Sequence, residues 1–137
     1  MSGSNGLWSQ RVEISYALLR IMTGLMFCFH GVQKIFGVLA SHEVEVGSQI
    51  WIGGLIELVA GVGIAIGFYA PWLAFLASGT MAVAYIQFHW KLDFSERILP
   101  AVNKGELALV YAFLFLFVAA RGSGIWSVDR WRKKRAS

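Results

Sequence analysis

The chain has 137 residues, 57% of them hydrophobic and 15% charged, with a formal net charge of +4 and a mean hydropathy of +0.60. A soluble domain of this size needs a polar shell that this composition does not supply, so a water-soluble globular enzyme is excluded and one membrane domain, 1–137, is expected. The positive balance does not point to nucleic acid: five of the twelve basic residues cluster between Arg130 and Arg135, and such a tail beside an apolar segment marks a cytoplasmic end facing anionic lipid.

The start, "MSGSNGLWSQRVE", is polar, and the apolar run after it is too long for a cleavable leader with no small-residue cleavage site. The first span is therefore expected to be retained. Apolar length predicts spans over about 14–36, 50–69, 72–90 and 106–120, against the roughly 20 residues that cross a bilayer core of ~30 Å. A basic tail, 129–137, follows them. Pro71 separates the second and third spans, and Pro100 falls in the longest connection, so neither proline interrupts a span. The second span, "GGLIELVAGVGIAIG", is rich in small residues, with a GxxxG pair at Gly63 and Gly67 that predicts close helix packing. Cys28 is the single cysteine, which excludes an internal disulfide, a CxxC redox pair and a cysteine zinc site. The expected fold is all-α, a bundle of four transmembrane helices.

Orientation follows from the basic residues. Arg11 and the "RWRKKR" cluster share one side, whereas the connection "GVLASHEVEVGSQ" carries two glutamates and no lysine or arginine. Both termini are expected to be cytoplasmic. Trp8, Trp51, Trp72, Trp90 and Trp126 fall near span ends, as an aromatic belt requires.

Ionisable groups inside a bilayer core cost about 2.5–3.5 kcal/mol each and so face the bundle and find partners. The candidates are Arg20, His30 and Lys34 on the first span, Glu57 on the second, His89 at the end of the third and Glu106 at the start of the fourth. Alternating span direction puts His30 at ~9 Å and Glu57 at ~10 Å from the outer end. His89 and Glu106 lie at the same face, so five of the six gather in the outer half. At 100° per residue, Arg20, Thr23, Phe27, His30 and Lys34 share a stripe roughly 80° wide. His30–Lys34 and Tyr85–His89 are neighbours four apart. Arg20, with no acid at its depth, is expected to snorkel or to bind backbone carbonyls near the C-terminal segment. Such a cluster is either a reactive site or an ion-pair network that holds helices together. Lys34, Glu106 and His89 also fit an interfacial, solvated reading.

Arg20, "GLMFCFHGVQKIFG", "GGLIELVAGVGIAIG", the histidine closing the third span, Glu106 in "NKGELALVYAFL" and the terminal "RGSGIWSVDRW" together resemble the DoxX family of small four-helix bacterial membrane proteins. The resemblance covers about 14–131. One stretch departs from it: "KLDFSERILPAVNK" is not the glycine-rich approach to Glu106 that the family leads one to expect. The resemblance implies a multi-pass protein of the bacterial inner membrane. The family includes membrane subunits associated with thiosulfate:quinone oxidoreduction and members tied to redox and quinone stress, with cargo receptors or assembly factors among more distant relatives. Of these roles, a redox-associated, quinone-linked accessory subunit acting with other membrane or redox subunits is the favoured expectation.

In that reading His30, Glu57 and His89 hydrogen-bond a quinone or move its protons. A tetrapyrrole held by two histidines is the weaker cofactor candidate. The sequence has no flavin fingerprint, haem-attachment motif or metal-cluster motif, so electron transfer requires a partner. No catalytic residue and no metal ligand is assigned. The alternative is a non-enzymatic structural or assembly subunit of a larger membrane complex, consistent with short loops and termini. A transporter is a weaker reading, since neither an inverted repeat nor paired broken helices are visible.

Overall fold

A computed structural model describes residues 2–40 and 43–136; Ser41 and His42, in the connection "GVLASHEVEVGSQ", lie outside the described residues. The chain is all-α. Helix α1 runs Ser2–Phe36, α2 Gln49–Ile66, and α3 Ala70–Ala84, which continues as a π-helical turn over Tyr85–Trp90. A short α4, Pro100–Asn103, precedes α5, Glu106–Arg121, and the basic α6, Val128–Ala136.

Among the described residues, three helices are long and apolar enough to cross a membrane: Gly6–Phe36, Gln49–Ile66 and Ala70–Trp90. With 35 residues, α1 is about 52 Å long at 1.5 Å per residue and outreaches a ~30 Å hydrocarbon core. It begins twelve residues before the first predicted span at residue 14, and no proline interrupts "SGSNGLWSQRVE".

The long helices pack antiparallel, α1 on α2, α2 on α3 and α3 on α5. Phe27 of α1 closes the circuit against α5, with ring centroids 5.6 Å from Tyr111 and 4.8 Å from Phe115. The bundle therefore has two ends. One carries the start of α1, the α2–α3 turn and α6; the other carries the α1–α2 connection and the segment between α3 and α5.

The α1–α2 contact is made through backbone. A Cβ on Gly24 would sit 2.6 Å from the Ala65 nitrogen, and one on Gly31 would sit 2.6 Å from the Gly54 carbonyl oxygen. Gly61 would meet the Cys28 Cα at 2.6 Å. The pairs Gly24–Gly31 and Gly54–Gly61 are each seven apart, so two glycines on each helix share a face two turns apart. The predicted GxxxG pair does something else: Gly63 abuts Leu73, and Gly67, at φ 71°, ends α2 in the left-handed region. There Phe68 N–H donates to the Gly63 carbonyl at 2.8 Å, a glycine-terminated cap.

Elsewhere small residues set the spacing. Ala70, Ala74 and Ala77 on α3 and Ala108 and Ala112 on α5 are buried, and Ser78 Oγ donates across to the Ala112 carbonyl at 2.7 Å. Large apolar side chains point the other way. Leu18, Met22, Leu25, Phe75, Phe113 and Phe117 are exposed, a surface suited to lipid rather than water.

Candidate functional site

At the end that carries the start of α1 and helix α6, Arg20 is fully buried, at 0% exposure. Its Nη1 donates to the carbonyls of Ile64 at 2.9 Å and Ala65 at 3.1 Å. Its Nη2 donates to Trp126 at 2.8 Å and Ile125 at 3.4 Å. The last turn of an α-helix leaves carbonyls without intrahelical partners, and a guanidinium presents the fork that collects them. Arg20 thus ties the end of α2 to the chain that follows α5.

Around it, Tyr16 OH donates to the Gly122 carbonyl at 2.5 Å. Arg121 forms an ion pair with Glu13 and lies over the Tyr16 ring at 5.1 Å. The N-terminus of α3 has no side-chain cap from its own helix. Asp129 supplies one from a distance: Tyr69 N–H donates to Oδ1 at 3.0 Å and Ala70 N–H to Oδ2 at 3.3 Å, joined by the Ser123 hydroxyl at 2.5 Å. Partial burial pushes the Asp129 carboxyl up, but the donors from Ser123, Tyr69 and Ala70 and the charge of Arg132 outweigh it and hold the group below the usual aspartate range. This end is held by charge on backbone.

The other end holds a cavity of about 670 Å³, within the range of small-molecule sites. Its walls come from α1, α2, α3 and α5 and are mainly apolar, with Phe27, Ile56 and Met81 among them. Four of the six predicted site residues line it: His30, Lys34, Glu57 and His89. Lys34 Nζ meets Glu57 Oε1 at 2.5 Å, with the lysine side chain 33% exposed and the glutamate 3%. The His30 ring stands edge-on to Tyr111 with centroids 6.4 Å apart.

His89 sits in the π-helical turn, a distortion common at functional positions. Its Nδ1 lies 3.3 Å from the Asn103 carbonyl, and its ring stacks on Tyr85. Asn103 fixes this corner, donating to the Arg97 carbonyl at 2.9 Å and accepting from Gly105 N–H at 2.7 Å. A Cβ on Gly105 would lie 2.7 Å from the Tyr85 ring, so the approach to α5 requires glycine there.

The remaining two candidates lie apart. Arg20 is at the opposite end, on carbonyls. Glu106 is exposed in the first turn of α5 and does not line the cavity; the helix N-terminus, rather than a basic partner, accounts for a carboxylate there. Four polar lining residues escaped the sequence reading: Gln49, Thr80, Lys104 and Tyr111. Tyr111 carried a usable signal, being the sole polar side chain between Leu107 and Ala120.

Two buried polar atoms in this wall, Glu57 Oε2 and Tyr111 OH, have no hydrogen-bond partner among the described residues. Buried polar groups are ordinarily paired, so each is an available contact for a ligand. The arrangement can hold a largely apolar ring by its faces and address a polar edge with a carboxylate, a phenol, an ammonium and two imidazoles.

A family model described as DoxX matches residues 15–90. An uncharacterized protein of Haemophilus influenzae is 32% identical over 117 residues, covering 82% of this chain and 87% of its own length. No solved structure matches the chain significantly.

Proposed function

The chain belongs to the DoxX family, and from that premise we propose that this multi-pass membrane protein is a quinone-linked accessory subunit acting with an electron-carrying partner. The observation that carries the reading is the placement of His30, Lys34, Glu57 and His89 in one apolar-walled cavity of about 670 Å³. When bound, a quinone supplies two-electron, two-proton redox chemistry. The residues present fit such a group. Phe27, Met81 and Tyr111 offer ring contacts, while Glu57, Tyr111 and the two histidines offer hydrogen bonds and places to hold a proton.

The accompanying topology is four spans in one membrane domain, in the bacterial inner membrane with both termini cytoplasmic. Packing of α5 along α3 supports a fourth span, although its 16 residues reach only about 24 Å. The basic residues of α6 support the orientation.

A second reading, a structural or assembly subunit, is favoured by the outer face of α5, where Val110, Phe113 and Phe117 are 60%, 66% and 52% exposed in one apolar groove. One experiment separates the two: purification in mild detergent, an absorbance spectrum, and mass spectrometry of extracted small molecules and co-purifying proteins. The redox reading expects a bound quinone that His30→Ala loses. A colourless sample without lipophilic extract, arriving with a stoichiometric partner, overturns it in favour of the second.

A further inference from the structure

The two unmet atoms in the cavity ask for different things. Glu57 is 2% exposed and Tyr111 4%. As the partner of the Lys34 ammonium, the Glu57 carboxylate offers Oε2 as an acceptor and has no proton to give. The Tyr111 hydroxyl can donate or accept. Both side chains line the same cavity, and neither hydrogen-bonds the other.

A quinone edge presents carbonyl oxygens, which are acceptors only. It satisfies Tyr111 but turns another lone pair toward Glu57 Oε2, leaving a buried acceptor unmet. A ring hydroxyl satisfies both at once, donating to Oε2 and accepting from Tyr111.

Access suits a ligand dissolved in the acyl chains. Helices α2 and α3 are joined by the short turn Gly67–Phe68–Tyr69 at one end, and the cavity lies toward their other ends. There Ile52, Val83 and Phe88 line it while remaining 50%, 48% and 45% exposed on the bundle surface.

We propose that the cavity takes a lipid-soluble aromatic ring in its hydroxyl-bearing, hydroquinone form in preference to the quinone form, with Glu57 as acceptor and Tyr111 as donor to the same hydroxyl. This rests on the quinone reading of the cavity.

The test uses the full chain in lipid nanodiscs, titrated anaerobically with decylubiquinol and with decylubiquinone and followed by intrinsic tryptophan fluorescence. The expected dissociation constant for decylubiquinol is about tenfold or more below that for decylubiquinone. A tenfold preference raises the midpoint of the bound couple by about 30 mV. Glu57→Gln, which replaces an acceptor by an amide that can donate, should narrow the preference to within about threefold. Tyr111→Phe keeps the ring packing and removes the Tyr111 donor from both forms. The hydroxyl form retains its bond to Glu57 Oε2 and the quinone form retains neither, so the preference should widen, and this variant carries the test if Glu57→Gln does not fold. Equal or tighter binding of decylubiquinone by the wild type overturns this inference and leaves the quinone reading standing. No binding of either form by the folded protein overturns both.

Discussion

Arg20 Nη1 reaches the Ile64 carbonyl at 2.9 Å from the middle of α1, where the guanidinium has no water to fall back on. Side chain and main chain are neighbours although 44 residues separate them.

Replacing Arg20 should therefore unfasten the end of α2. Arg20→Leu leaves the Ile64, Ala65 and Trp126 carbonyls without their donor, and a loss of at least about 2 kcal/mol is expected. Arg20→Lys, with one compact donor group in place of a fork, should fall between the two. Unfolding midpoints in mixed micelles measure this, and equal midpoints for wild type and Arg20→Leu would sink the claim.

The Lys34–Glu57 pair predicts a non-additive cycle. Glu57→Leu strands Lys34, and Lys34→Met strands a carboxylate that is 3% exposed, so each single change should cost about 1–3 kcal/mol, with the second larger. Because Lys34 remains one-third exposed, the first loss is moderated by solvent. The double variant should recover part of both losses. Additive thermal shifts in detergent would argue against the pair.

Glycine positions separate cleanly by what a methyl would meet. Gly24→Ala pushes a Cβ into the Ala65 backbone, which can yield only by moving a helix, at an expected cost of about 1–3 kcal/mol. Gly53→Ala meets nothing within 4 Å and should be neutral or gain up to about 1 kcal/mol from helix propensity. Comparable melting shifts for the two would overturn the close α1–α2 approach.

Asp129 gives a pH dependence with a definite sign. Its folded pKa lies below the ordinary value, so its contribution is present above an unfolded pKa near ~3.9 and is lost as pH falls through the lower folded value. Wild type should melt above Asp129→Asn at pH 7, and the gap should close as pH drops below about 4. A gap independent of pH would show that the carboxylate charge does not hold the cap on α3.

Apolar run length located the three long helices, because lipid leaves a hydrophobic stretch few other options. Helical phase was less complete. The predicted stripe on α1 contained Arg20 and Phe27, but the buried face of Tyr16, Ala17, Arg20, Gly24, Phe27 and Gly31 is turned about 50° from it, because phase counts polar groups and not the small residues that admit another backbone. Alternating span direction put His30, Lys34, Glu57 and His89 at a common end, where they line one cavity.

The partners of Arg20 and the target of Asp129 are main-chain groups, which have no side-chain identity to read. The π-helical turn under His89 left no mark in composition either. Tyr111 was legible as a lone hydroxyl in an apolar run and went unread because tyrosine passes for a core residue.

Arg20 also has a bearing on the order of assembly. Helix α1 contains a cation whose acceptors Ile125 and Trp126 follow it by 105 and 106 residues. The glycine-lined α1–α2 hairpin can close as soon as α2 emerges, with half of the guanidinium satisfied by Ile64 and Ala65. The second half waits until α5 and the segment after it have followed. A chain interrupted before Ile125 therefore keeps inside the membrane a guanidinium held by Ile64 and Ala65 alone.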